Sequence, residues 1–482
     1  MKNLCDLIDS FNEEEAELVV KHYLLKRNSY SKRLKLFNMI RLEGIKDDSI
    51  AAKRLYNKKP NAAFCQLKKR LREDILNLLL VFNLQPENLN GYSEAEMQAS
   101  KQIMQAKLLI KRGLKSSGMV LLKKAFKLAG EYEAFEVQTL AYEAIRSHSD
   151  GLGEASELAG LEVQFSRNVD ILYDLINLKI DHSNDSFLCR EYEPHLIGLD
   201  QDNWQRNAVI LNEATRSARL KFQYTMKLSR EFFNQKLYQK ARETAEEILP
   251  LLDHENQVLT KNQKGNYYFL FSKILMQLRF FTEAVFYAEK AGSYFGQNNV
   301  LKSKAFLLIC RGCFYNETLD NSLTYVERLE GMNQVGESPD MNAVALLKAW
   351  YTFRTDDYIA SIKGLNNCFK LSGRHSEIAL NGKMLELMNL LEMKDYGWFD
   401  YKLDSFRKYL SNFRPMVNSS RYKLIYKLLG QLKKYYIEQT ETDDGRLLEL
   451  IRLLSEKGKP YSWNPLGYEL YPIQNWAQSK LV

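Results

Sequence analysis

The chain has 482 residues, 27% of them charged, with only nine prolines and 23 glycines, which excludes collagen-like and Gly/Pro-rich low-complexity classes. Six cysteines scattered over that length form no disulfide framework and fit a reducing compartment. The net charge of +8 is local: residues 53–72, KRLYNKKPNAAFCQLKKRLR, hold eight basic side chains and no acidic one.

The opening MKNLCDLIDS carries two aspartates and makes no apolar signal core. The apolar runs LLLVF (78–82) and AFLLIC (305–310) fall far short of the roughly 20 residues a bilayer span needs. A cytoplasmic protein without membrane insertion is expected.

Asn12 and Glu15 suit a capping box before EEEAELVVKHYLLKR. A second helix, SKRLKLFNMIRLE, should stop at Gly44, and a third should start near Asp47 or Asp48. Pro60 then precedes a long helix over about 61–82, with Phe64, Leu67, Leu71, Ile75, Leu78 and Phe82 on one stripe. The segment NLQPENLNGYS (83–93) reads as a boundary.

Beyond it the chain repeats. In FFTEAVFYAEKAG (280–292), Ala284, Ala288 and Ala291 put small residues on one helix face. LKSSGMVLLKKAF, LYQKARETAEEIL, LDNSLTYVERLEG and DYIASIKGLNNCF fit the same template, with Gly118, Ala241, Ser322 and Ser361 aligned on Ala284. Twelve residues before these anchors stand Ala106, Ser229, Ser272, Cys310 and Ala349, again all small. Two columns in one register predict helical hairpins whose helices cross closely. A further anchor near Ala159, paired with Ser147, fits the gap between 118 and 241. After Ser361, DYGWFDYKLDSFRKYL is helical but has no small anchor.

These columns resemble the tetratricopeptide repeat, in which small residues mark where paired helices cross. Anchors 241, 284, 322 and 361 are spaced more widely than the about 34 residues of the standard unit. The resemblance, shared with many bacterial tetratricopeptide-like proteins, implies an all-α, right-handed α-α superhelix. The expected division is an amino-terminal helical domain (1–90) that resembles a helix-turn-helix, repeats (95–440), and a capping helix with an aromatic tail (441–482). That tail, with Tyr461, Trp463, Tyr468, Tyr471 and Trp476, should pack back over the last repeat.

Enzyme signatures are absent: no GxxxxGK, GxGxxG, GxSxG or HExxH occurs, and the six histidines have no metal-ligand spacing. No catalytic residue, cofactor or metal is expected. The pair in Cys310-Arg-Gly-Cys313 lacks the two further ligands zinc would need. Cys310 falls in the small column and Cys313 one turn on, so both read as packing residues.

One residue after the small column stand Lys107, Arg230, Lys273, Arg311 and Trp350. By the resemblance this position lies on or near the concave face, where cations would hold an acidic or carboxylate-bearing protein or peptide. A solvated helix surface explains the same residues, and both readings stay open here. Three residues further on, Ile110, Phe233, Met276, Phe314 and Phe353 read as core rather than ligand anchors. Within the basic segment 45–75, Lys68, Lys69, Arg70 and Arg72 are candidate nucleic-acid contacts; a solvated face, or a contact for an acidic partner, is the alternative. The leading expectation is a non-enzymatic scaffold or adaptor that binds a protein or peptide. The runner-up is a peptide-sensing regulator that binds nucleic acid.

Overall fold

The computed structural model describes residues 2–25, 31–82, 91–149, 155–188, 217–253, 258–296, 298–333, 341–371, 377–412, 419–438 and 444–481. All regular structure among them is helical, and the chain divides into two compact units, Met1–Leu89 and Asn90–Val482.

The first unit comprises α1 (Lys2–Asp9), α2 (Glu13–Leu25), α3 (Lys32–Arg41), α4 (Asp48–Tyr56) and α5 (Ala62–Phe82). Its caps follow the sequence. Asn12 and Glu15 exchange side-chain bonds with each other's backbone N–H at 2.9 and 2.8 Å, Asp47 caps α4, and Asn61 accepts from the Phe64 N–H. Phe64, Leu67, Leu71, Ile75 and Leu78 are buried as the stripe predicts, against Phe37, Ile40 and Val19; the Phe82 side chain lies outside the described residues. The first residues also form α1, which adds Leu4, Cys5 and Ile8 to this core.

The second unit runs α6 (Gly91–Lys111), α7 (Lys115–Glu131), α8 (Phe135–His148), α9 (Ala155–Leu188), α10 (Ala218–Asn234), α11 (Tyr238–Glu246) and α12 (Leu249–Asp253). It continues with α13 (Lys261–Leu278), α14 (Phe281–Tyr294), α15 (Asn299–Tyr315), α16 (Leu319–Asn333), α17 (Met341–Arg354) and α18 (Tyr358–Leu371). It ends with α19 (Glu377–Glu392), α20 (Tyr396–Asn412), α21 (Ser419–Glu438), α22 (Asp444–Ser455) and α23 (Ile473–Gln478). Most helices consecutive in this order pack against one another, α11 packs on α13 across the short α12, and α13 also touches α15, as α17 touches α19. This is a tetratricopeptide-like helical solenoid.

The two small columns meet where hairpin helices cross. All ten residues of the columns are buried. In three hairpins the pair is tied by a side chain that reaches the opposite backbone. Ser272 Oγ donates to Ala284 O at 2.6 Å, Ser361 Oγ to Ala349 O at 2.8 Å, and Ser322 Oγ to Cys310 O at 3.4 Å. In the first hairpin Gly118 serves instead, since a Cβ there would come within 3.0 Å of Ala106 O.

A second periodic feature is conformational. Five residues before each anchor, the chain turns through a residue with positive φ: Gly113, Lys236, Arg279, Glu317 and Asp356. The next residue's N–H returns to the carbonyl five before it, as in Leu237 to Phe232 (2.8 Å) and Phe280 to Leu275 (3.0 Å). This is the Schellman closure of a helix end. The same turn at Glu133 and Lys394 extends the register to Gln138 and to Phe399, which is fully buried. One expectation changes accordingly. Ala159 and Ser147 are both exposed and anchor nothing, because the left-handed turn falls at Glu133 instead. The hairpin after Ser361 has no small anchor, as expected, and keeps the register with Phe399 at that position.

Glu133 also clasps α10. Its carboxylate accepts from Ser217 Oγ (2.7 Å) and from the N–H groups of Ala218 (2.9 Å) and Arg219 (3.0 Å), while the buried Arg219 stacks 4.5 Å over Tyr92.

Candidate functional site

The column that follows the small residues divides in three. Arg230, Lys273 and Arg311, on α10, α13 and α15, are each half-buried, whereas Lys107 on α6 is exposed. Trp350 is 0% exposed and packs edge-on to Phe353 at 5.9 Å, so it cannot meet a partner. A side chain of that size gains most from complete burial, and α17 supplies it. Met276, Phe314 and Phe353 are buried and Ile110 and Phe233 half-buried, as core residues should be.

Lys273 is the centre of the basic group. Its ammonium lies 5.0 Å from the Phe233 ring and 5.9 Å from the Phe269 ring. Burial lowers its pKa from the usual lysine value, and the charges of Arg230, Arg311 and Lys304 lower it further. The charges acting on this ammonium are all cations. A partly desolvated wall of one sign is a place where an anion would be held strongly. Lys304, exposed on α15, belongs to this group, though nothing in the repeat register marked it.

Arg311 has a different setting, because the carboxy-terminal tail reaches it. Tyr468 stacks 5.2 Å over its guanidinium, and Glu377 lies within its electrostatic reach. Two more arginines carry tail rings, with Trp463 5.7 Å from Arg279 and Tyr471 4.3 Å from Arg354. Tyr315 donates to Pro465 O at 2.8 Å, and Gln277 donates to Asn464 at 2.9 Å. The tail therefore does more than cover the last repeat. It runs back to α13, and Gln277 lies one helical turn from Lys273. Beside it is a cavity of about 250 Å³ lined by Arg279, Glu317, Arg354, Gln474 and Asn475. The aromatic residues were visible in the sequence; the arginines they would meet were not.

Neighbouring helices bury α19 around its whole circumference: Asn389 donates to Ser361 on α18, Glu386 pairs with Lys402 on α20, and Asn381 donates to Tyr422 on α21. The end of α19 is held by Glu392, which accepts from Trp476 Nε1 at 2.6 Å and pairs with Lys480 at 2.7 Å.

Cys310 and Cys313 are 0% and 3% exposed, and burial pushes the Cys310 thiol up to about 12. Between them Gly312 is the tighter position, since a Cβ there would overlap Val285 Cγ2 on α14. Among the described residues no three His, Cys, Asp or Glu side chains converge as metal ligands, and no helix is long and apolar enough to cross a membrane.

In the first unit Lys68 is half-buried and bound to both oxygens of Asp48, at 2.7 and 2.8 Å, so it is committed within the fold. Lys69, Arg70 and Arg72 are exposed on α5.

No family model matches the chain, and no curated protein matches it. Among solved structures it is similar to the apo form of RapI, at 8% identity and a TM-score of 0.42, over 70% of this chain and 86% of that one. It is also similar to a Rap protein complexed with Competence and Sporulation Factor, at 12% identity and 0.40, over 70% and 87%. A third is the apo form of the quorum sensor NprR from B. thuringiensis, at 12% identity and 0.39, over 70% and 85%. The helical-repeat assignment stands on the hairpins themselves.

Proposed function

We propose that the second unit is a non-enzymatic adaptor that holds an acidic or carboxylate-bearing protein or peptide segment on its inner, concave face, at Arg230, Lys273 and Lys304. The observation that carries this reading is the environment of Lys273. A half-buried ammonium flanked by three cations costs stability, and a folded protein keeps such an arrangement most readily where a ligand needs it. Tail rings cover Arg311, so the accessible end of the stripe is the Arg230–Lys273 end. The phenyl rings of Phe233 and Phe269 beside the ammonium offer apolar contact to the residue carrying the carboxylate.

The test is an array of acidic peptides with free and amidated carboxy termini, probed with the full chain. Acidic members should bind with an affinity that falls as salt rises. Arg230→Glu combined with Lys273→Glu should abolish that binding while leaving the melting curve intact. Undiminished binding by the reversed variant would sink the proposal. Arg311 is left alone in this test, because reversing it would disturb the tail.

A further inference from the structure

We infer that the first unit binds duplex DNA, with the amino-terminal half of α5 in the major groove.

The segment 53–72 carries eight basic residues. Arg54 pairs with Glu43 and Lys68 with Asp48. Asp74, on α5 itself, is taken by Arg33 at 2.6 Å and by Tyr23 at 2.8 Å. Three carboxylates are thus neutralised within the fold. Lys53, Lys58, Lys59, Arg70 and Arg72 remain exposed, and no ion pair is formed by them among the described residues. Lys69 is 78% exposed and lies 4.0 Å from Glu73, itself 58% exposed, a contact that solvent screens.

The placement of these charges on α5 narrows the ligand. Phe64, Leu67, Leu71 and Ile75 fix which side faces the core. At about 100° per residue, Lys69 then points directly away from it. Arg70 and Arg72 lie on opposite flanks, about 160° apart around the axis. The exposed residues ahead of them, Ala62, Ala63, Cys65 and Gln66, are small or neutral and leave the helix end free to approach a surface. Lys58 and Lys59 sit in the turn before it. A helix about 10–12 Å across with a cation on each flank matches a B-form major groove about 12 Å wide, which has a phosphate strand on each side. The deep, narrow major groove of an RNA duplex would not admit it. A flat acidic protein surface would meet one flank only.

The experiment measures binding of the full chain to a fluorescent DNA duplex of mixed sequence across a salt series. Four phosphate contacts, from Lys58, Lys59, Arg70 and Arg72, with Lys69 facing the groove floor, predict a log–log slope of about −3 to −4. Lys69→Ala, Arg70→Ala and Arg72→Ala together should weaken binding at least about tenfold and cut the slope by about 2. Lys58→Ala with Lys59→Ala, made separately in the turn, should cut it by about 2. Removing three exposed charges of the second unit, Lys423→Ala, Lys427→Ala and Lys434→Ala, should leave both quantities unchanged. The inference is overturned if the duplex does not bind at low salt, or if the α5 variants keep the wild-type slope. It is equally overturned if the second-unit control loses as much, or if an RNA duplex of the same sequence binds as tightly.

Discussion

Arg421 and Glu469, 48 residues apart, form a bidentate ion pair with both bonds at 2.6 Å and side chains only 3% and 5% exposed. The remaining donors are also used. Nη2 reaches Gln474 at 2.9 Å and Nη1 reaches Tyr461 O at 2.8 Å, while Glu469 accepts from the Ile473 N–H at 2.9 Å. A buried pair so fully satisfied fixes the path of the tail across the helices.

Breaking that pair from one side should cost about 3–5 kcal/mol, because the surviving charge stays buried without a partner. Arg421→Met and Glu469→Leu should each lower the urea midpoint and open the tail to protease, whereas the double variant should recover much of the loss. Equal midpoints for single and double variants would show that the two residues are not coupled.

Removing residues 459–482 should strip Glu392 at the end of α19 of Trp476 and Lys480, and uncover Tyr315 and Arg311 on α15. A lower melting temperature and reduced solubility are expected. An unchanged melting curve would show that the tail contributes no stability.

Lys273→Met should raise stability by about 0.5–2 kcal/mol while weakening capture of acidic ligands, the trade expected of a binding residue kept at a structural cost. The pH dependence follows from the lowered pKa. Between that value and the ordinary lysine value the unfolded chain holds the Lys273 proton more fully than the folded one, so the Lys273 contribution to stability rises with pH across this window, read as the difference between wild type and variant. The methionine variant should lack that rise, and wild-type ligand affinity should fall over the same window. A variant with lower stability and unchanged binding would refute the assignment.

Within Cys310-Arg-Gly-Cys313 the glycine should be less replaceable than the cysteines. Cys310→Ala with Cys313→Ala should fold at a cost of about 1–3 kcal/mol, since small residues fill this column elsewhere. Gly312→Ala alone should cost about 1–3 kcal/mol by forcing α14 away from α15. Stoichiometric zinc in the purified protein would contradict the packing role of the thiols.

The all-helical class, the capping residues of the first unit, the apolar stripe of α5 and the two small columns were legible in the sequence. Each is a periodic or short-range pattern, and helix geometry converts such spacing directly into a shared face. The repeated left-handed turn was not legible, because Lys236, Arg279, Glu317 and Asp356 hold a conformation for which glycine is the usual signal. Packing of the two helices on either side imposes it. Nor could spacing tell that Trp350 is core while Lys273, in the same column, faces a cluster of cations. Position on a helix decides which way a side chain points, but only the neighbouring elements decide what covers it. The tail supplies that cover for Arg311 and holds the end of α19 at Glu392, and Glu133 clasps Arg219 from 86 residues away. Those contacts join segments with no common period, so tertiary structure alone determined them.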